Sequence, residues 1–202
     1  MDTDSTLLSA LARDLDAAFE ALVLAHQDRL YSIALRVLGD GRDAEEAAQD
    51  AFIRAHRALA AYAPERILEL RLRPWLATIV LNLCRTRLAR RAARAAIARR
   101  ALSLDASELG TFEPRADDDA EPATTAVRRD TRRTWAALLM TLPPAYRTAV
   151  VLRHVDGLSY PEVATALDRP EGTVKAQVHR GLALLRTAFE AAQQREREEM
   201  TA

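Results

Sequence analysis

Thr173, Lys175, Gln177, His179 and Arg180 are the side chains whose types and spacing best suit chemistry. They are polar or basic, and they sit close together on one predicted helix. Such groups exchange hydrogen bonds with base edges and phosphates and need make no covalent bond. The same helix carries Val174, Val178, Leu182 and Leu185 at helical spacing, which predicts a buried opposite face. A shorter helix precedes it. Ser159 is a natural N-cap, Glu162 three residues on completes a capping box, and Pro161 lies in the first turn, where its missing N–H is no loss. Val163, Ala164 and Leu167 share a face, and Asp168-Arg169-Pro170 breaks the helix. Two helices with a tight turn, the second basic near its start, form the pattern of a helix-turn-helix that enters the DNA major groove.

A second basic group lies upstream. From Arg71 to Arg100 there are nine arginines and no acid, whereas Leu104 to Glu121 holds seven acids and one arginine. Over the whole chain, 29 basic and 29 acidic residues cancel, so the net charge conceals a basic block beside an acidic one. A solvated helix face usually mixes signs; this one does not, which favours phosphate contact.

Catalytic chemistry finds little support. His26, His56, His154 and His179 are scattered and show no metal-ligand spacing. There is no phosphate-cradling glycine loop and no nucleophile elbow. Glu45-Glu46 and Asp117-Asp118-Asp119 lack a partner base. The single cysteine, Cys84, excludes a disulfide framework and reads as core filler on an apolar face. We expect no enzyme, no cofactor, no metal and no small-molecule substrate. The acidic start, Asp2 and Asp4, does not suit a signal peptide, and the apolar run Trp75 to Leu83 is too short for a bilayer. A cytoplasmic protein without membrane insertion is the expectation.

The elements that must position these residues read as helices throughout. Residues 1 to 15 are expected to be loosely held. Phe19 to Leu38 is amphipathic and stops at Gly39-Asp40-Gly41. Asp43 can cap a helix that buries Ala47, Ala51, Phe52, Ala55 and Leu59 and turns Glu45, Glu46, Gln49, Asp50 and Arg54 outward. Residues 62 to 73 read as loop with a turn of helix. Pro74 opens a long helix with Trp75, Leu76, Ile79, Val80, Leu83 and Leu88 inward and Arg85, Arg87, Arg90, Arg91 and Arg94 over the rest. Trp75 reads as core more readily than as a stacking platform. Periodicity lapses from Ala101 to Val127, amid Gly110, Pro114 and Pro122. A helix with Trp135, Leu138, Leu139 and Leu142 halts at Pro143-Pro144, and another, Tyr146 to Val155, leads into the helix-turn-helix. The fold class is all-α: two small helical domains joined by a flexible acidic linker.

The arrangement resembles a bacterial RNA polymerase sigma factor of the extracytoplasmic-function (ECF) group of the sigma-70 family. DAEEAAQDAFIRAHR (43–57) followed by RPWLATIVLNLCRTRLARR (73–91) resembles the family's region 2. LPPAYRTAVVLRHVDGLSYPEVATALDRPEGTVKAQVHRGLALLR (142–186) resembles region 4. The resemblance implies an N-terminal segment over 1–15, region 2 over 16–98, an acidic linker over 99–130, region 4 over 131–192 and a charged tail over 193–202. It implies core RNA polymerase as a partner, through the clamp helices of its largest subunit and its flap, with Glu46, Gln49, Asp50 and Arg54 in the docking face. Promoter DNA is the second partner. Asn82, Arg85, Arg87, Arg90 and Arg91 would serve the −10 element with residues 62 to 73, which would hold an extruded base. Thr173, Lys175, Ala176, Gln177, His179 and Arg180 would serve the −35 element, with Arg147, Arg153 and Arg169 as candidate phosphate contacts. The connector would follow the polymerase's template and RNA-exit path, and an anti-sigma factor would mask these surfaces. Ala48 and Ala51 are smaller than the family's usual residues there, and 62 to 73 is less polar than expected. The competing reading is a stand-alone helix-turn-helix regulator that binds operator DNA as a dimer; a pure interaction protein is disfavoured by the arginine block.

Overall fold

Two aspartates make the sharp corners of the N-terminal half. The fold is a computed structural model that describes residues 3–102 and 134–201. Asp14 is extended, and its side chain accepts the N–H of Ala17, so α1 (Thr3–Arg13) passes into α2 (Leu15–Leu38) within one residue. Gly39 then takes the left-handed conformation, φ 73°, and its N–H closes on Leu35 O at 2.8 Å. Asp40 caps α3 (Gly41–Ala60) by accepting the N–H of Asp43 at 2.8 Å. The cap is therefore Asp40, and Asp43 sits in the first turn, where its charge suits the helix dipole.

The N-terminal segment is not loose. Leu7, Leu8 and Leu11 are buried, and α1 packs on α2 and on the short α4 (Pro64–Leu68). Their i, i+1, i+4 spacing puts three leucines on one side of a helix only three turns long. Asp4 also approaches His26 of α2, with Oδ1 3.9 Å from Nε2.

Helix α3 lies against α2 through small residues. Ala44, Ala47, Ala48, Ala51 and Ala55 are all buried, with Phe52 and Leu59. The small side chains noted at 48 and 51 thus belong to a continuous alanine stripe, which suits a close helix approach. His56 meets Asp16 at 3.2 Å and takes Phe19 edge-on at 4.8 Å. Helix α5 (Leu72–Leu102) starts two residues before Pro74, which falls within its first turn, where proline is tolerated. It buries Leu76, Ala77, Val80, Leu81, Leu83 and Cys84, while Trp75, Ile79 and Leu88 are half-buried. Burial pushes the Cys84 thiol up to about 12, so it stays protonated and serves as packing.

The described residues form two compact units, one of α1 to α5 without residues 73–75 and one containing the helices after residue 133. The second begins with 134–141, labelled α6, and continues through α7 (Pro144–Val150), which runs on as a π-helical turn over Val151–Val155. Then come α8 (Tyr160–Leu167) and α9 (Glu171–Thr201). Leu138, Leu139, Leu142, Val150, Val151 and Leu185 make one apolar cluster, flanked by Ala188 and Phe189. Trp135 stacks on Phe189, centroids 5.4 Å apart. Gly181 lets α9 come this close to α7: a Cβ there would stand 2.6 Å from Val150 Cγ2.

The described residues include no strand. The acidic linker expected over 99–130 lies outside the described residues from 103 onward; 99–102 close α5.

Candidate nucleic-acid interface and docking face

Both ends of α8 are built by local chemistry. Ser159 Oγ accepts the N–H of Glu162 at 3.4 Å, and Glu162 Oε2 accepts the Ser159 N–H at 2.8 Å, so the capping box is complete. Asp168 ends α8 in the left-handed region, φ 51°, a conformation that a short polar side chain tolerates better than most. Arg169 and Pro170 follow, and α9 begins at Glu171. The buried face of α8 is Val163, Ala166 and Leu167; Ala164, expected inside, is half-exposed.

On α9 the buried stripe is Val174, Gln177, Val178, Gly181 and Leu185. Leu182, expected within it, is 41% exposed. The stripe is rotated toward Gly181 because that residue admits α7. The rotation carries Gln177 inside, at 8% exposure, whereas Thr173, Lys175, Ala176, His179 and Arg180 remain outside. Five of the six side chains expected to read DNA are therefore exposed, and Gln177 is buried.

Lys175 is held by its own helix. Its Nζ lies 2.7 Å from Glu171 Oε1, one turn earlier, and 5.6 Å from the centre of the Tyr160 ring. The hydrogen bond to Glu171 raises the ammonium above its usual range. Arg153 sits over the same ring at 4.9 Å and donates to Leu158 O. Arg169 is exposed, but Arg147 is buried at 3% exposure with Nη1 against Met140 Sδ. Burial lowers its guanidinium from the ordinary arginine range. A phosphate cannot reach a side chain so enclosed, so that expectation for Arg147 is corrected.

In the first unit the outer face of α3 presents Glu45, Glu46, Gln49 and Arg54 exposed and Asp50 half-exposed. Glu46, Asp50 and Arg54 follow one another at four-residue steps, so they stack along one line. That line is met by α5. Arg87 donates from Nη1 to Glu46 Oε2 at 3.1 Å and from Nη2 to Asp50 Oδ2 at 2.8 Å. Asp43 Oδ1 stands 4.0 Å from the same guanidinium. One turn on, Arg91 pairs with Asp43, approaches Asp40 at 3.8 Å and donates to Leu38 O at 3.1 Å. Two of the five side chains expected at the −10 element are thus spent on α3 and its corner. The other three, Asn82, Arg85 and Arg90, are exposed, with Arg85 donating to Asn82 Oδ1 at 3.0 Å. The sequence signal for the Arg87 pair was faint: it depends on the register of two helices about forty residues apart. The Glu171–Lys175 pair has a local signal, an acid four residues before a base.

Among the described residues no three metal-binding side chains converge, and no helix is long and apolar enough to cross a membrane.

The family model for sigma-70 region 2 matches residues 22–94, which covers α3 and most of α5, and that for sigma-70 region 4 matches 132–185, which covers the helix-turn-helix. The chain is 32% identical over 174 residues to the ECF RNA polymerase sigma factor SigW of Bacillus subtilis, covering 84% of this chain and 87% of SigW. This chain belongs to the ECF sigma factors. Two solved structures have the same fold, each with a TM-score of 0.63. One is CnrH in complex with the cytosolic domain of CnrY, 26% identical and covering 94% of this chain and 99% of that one. The other is RpoE of Bartonella quintana in complex with the anti-sigma factor NepR, 19% identical and covering 85% and 96%. As a sigma factor the chain is a transcription initiation factor: it binds core RNA polymerase and recognises the −10 and −35 promoter elements through regions 2 and 4. The stand-alone regulator is not favoured, because a region 2 has no place in it.

Proposed function

We propose that promoter recognition by this ECF sigma factor divides between two faces of unlike chemistry. The outer line of α3, with Glu46, Gln49, Asp50 and Arg54, docks on the clamp helices of core polymerase. Acidic and amide groups on a rigid helix pair with basic groups and fix register. Asn82, Arg85 and Arg90 on α5 face the −10 element, and residues 62 to 73 beside them hold its extruded base. Thr173, Lys175, Ala176, His179 and Arg180 read the −35 element from the major groove, with Arg169 as a phosphate contact. The observation that carries this division is the placement of the five α9 residues, all exposed on the first three turns of a helix that follows the Asp168 turn. The segment 99–130 acts as the connector between the regions, and region 4 takes in 131–192. The protein works in the cytoplasm, where an anti-sigma factor covers these faces.

Asp50→Arg tests the docking face. The variant is expected to fold, by its circular dichroism, yet fail to co-purify with core polymerase. Co-purification at the wild-type level would remove α3 from the interface.

A further inference from the structure

Arg87 and Arg91 look alike in sequence, yet their partners differ in kind. Arg91 is bound to the corner between α2 and α3: a carbonyl at the end of α2, Leu38 O, and the carboxylates of Asp40 and Asp43 at the start of α3. Those partners build the fold. Arg87 instead is held chiefly by Glu46 and Asp50, at 3.1 and 2.8 Å, with Asp43 more distant at 4.0 Å. Glu46 and Asp50 are also the carboxylates on the outer line of α3. Their side chains are 48% and 49% exposed, whereas that of Arg87 is 19% exposed. The carboxylates therefore reach solvent and a partner, while the guanidinium they enclose is largely covered.

We propose that Arg87 is a phosphate-binding side chain held in reserve, neutralised in the free protein by the carboxylates that core polymerase later engages. Its ligand is the phosphodiester backbone of single-stranded DNA. The inference rests on the docking role given to Glu46 and Asp50 above. A basic surface that pairs with these two side chains weakens their hold on Arg87, because the carboxylate charge is then shared between two cations. Released, a guanidinium on the arginine-rich α5 presents a planar fork suited to a phosphate, beside the exposed Arg90. The same ion pairs thus make docking and DNA contact mutually dependent: the first partner to bind empties the site for the second.

The test uses full-length protein without polymerase and a fluorescent single-stranded oligonucleotide of non-template −10 sequence. Glu46→Gln with Asp50→Asn removes the two charges and keeps the side-chain shapes. Affinity should rise about tenfold, and the slope of log affinity against log salt should steepen by about 0.7, the increment for one phosphate contact on a single strand. Adding Arg87→Gln to that background should abolish the gain. Arg87→Gln alone should change little, because the wild-type side chain is already occupied. A control with the same change of charge, Glu20→Gln with Asp28→Asn on the exposed side of α2, should give less than twofold. Melting curves accompany every variant. If the triple variant does not fold, the salt slope of the double variant decides. No gain, a gain that survives Arg87→Gln, an unchanged salt slope or an equal gain in the control would overturn the proposal. Core co-purification of the double variant is scored separately. A DNA gain with undiminished core binding would leave Arg87 masked but refute docking as what unmasks it.

Discussion

Region 2 and region 4 use charge in opposite ways. In region 2 the charges that matter are tied across helices, Arg87 to Glu46 and Asp50, Arg91 to Asp43 and the α2 terminus. In region 4 the basic side chains Lys175, His179 and Arg180 of α9 are exposed, and the ion pair Glu171–Lys175 lies within one helix. Removing a charge from region 2 should therefore cost stability as well as binding, whereas removing one from the α9 face should cost binding alone. A surface that meets another protein can share its charges with its own scaffold. One that reads bases needs side chains that the scaffold does not consume.

The largest effect should come from reversing a charge inside the region 2 lattice. Arg87→Glu sets a third carboxylate against Glu46 and Asp50, and we expect it to destabilise the protein by about 2–3 kcal/mol, allowing for partial solvent exposure. Urea unfolding measures this; a loss below about 0.5 kcal/mol would mean that the pairs contribute no stability. Lys175→Ala should leave the unfolding midpoint unchanged and weaken holoenzyme binding to a mapped promoter by between about fivefold and a hundredfold, as for loss of one base contact. If the midpoint falls as much as for a region 2 charge, the contrast between the regions fails. The smallest effect belongs to the cap that starts α8. Ser159→Ala removes the side-chain half of the capping box and should cost about 1 kcal/mol, while Ser159→Asp should retain most of it.

How much of this was legible in the sequence follows from the range of each interaction. The capping box was readable because Ser159 and Glu162 are three residues apart and their chemistry is local. The outward polar line and the alanine stripe of α3 were readable because helical period alone separates them. Helix α1 was missed: eleven residues give too short a pattern to outweigh a chain terminus, and its leucines gain their worth only against α2 and α4. Gln177 was misplaced because it borders the buried stripe, and the closeness of α7 at Gly181 decides on which side it falls. Arg147 failed for a similar reason, since its sequence neighbours do not show that α7 turns it inward. The pairing of Arg87 needed the register between α3 and α5, which no local signal carries.

Reconstituted transcription decides whether the two regions act together on one promoter. Purified protein is added to core polymerase on a promoter library, and the start sites are mapped. Transcripts should appear only when both components are present, from start sites preceded by two fixed elements, with Lys175→Ala weakening dependence on the upstream element alone. Transcripts that ignore both elements, or tight sequence-specific duplex binding by the protein without polymerase, would contradict it.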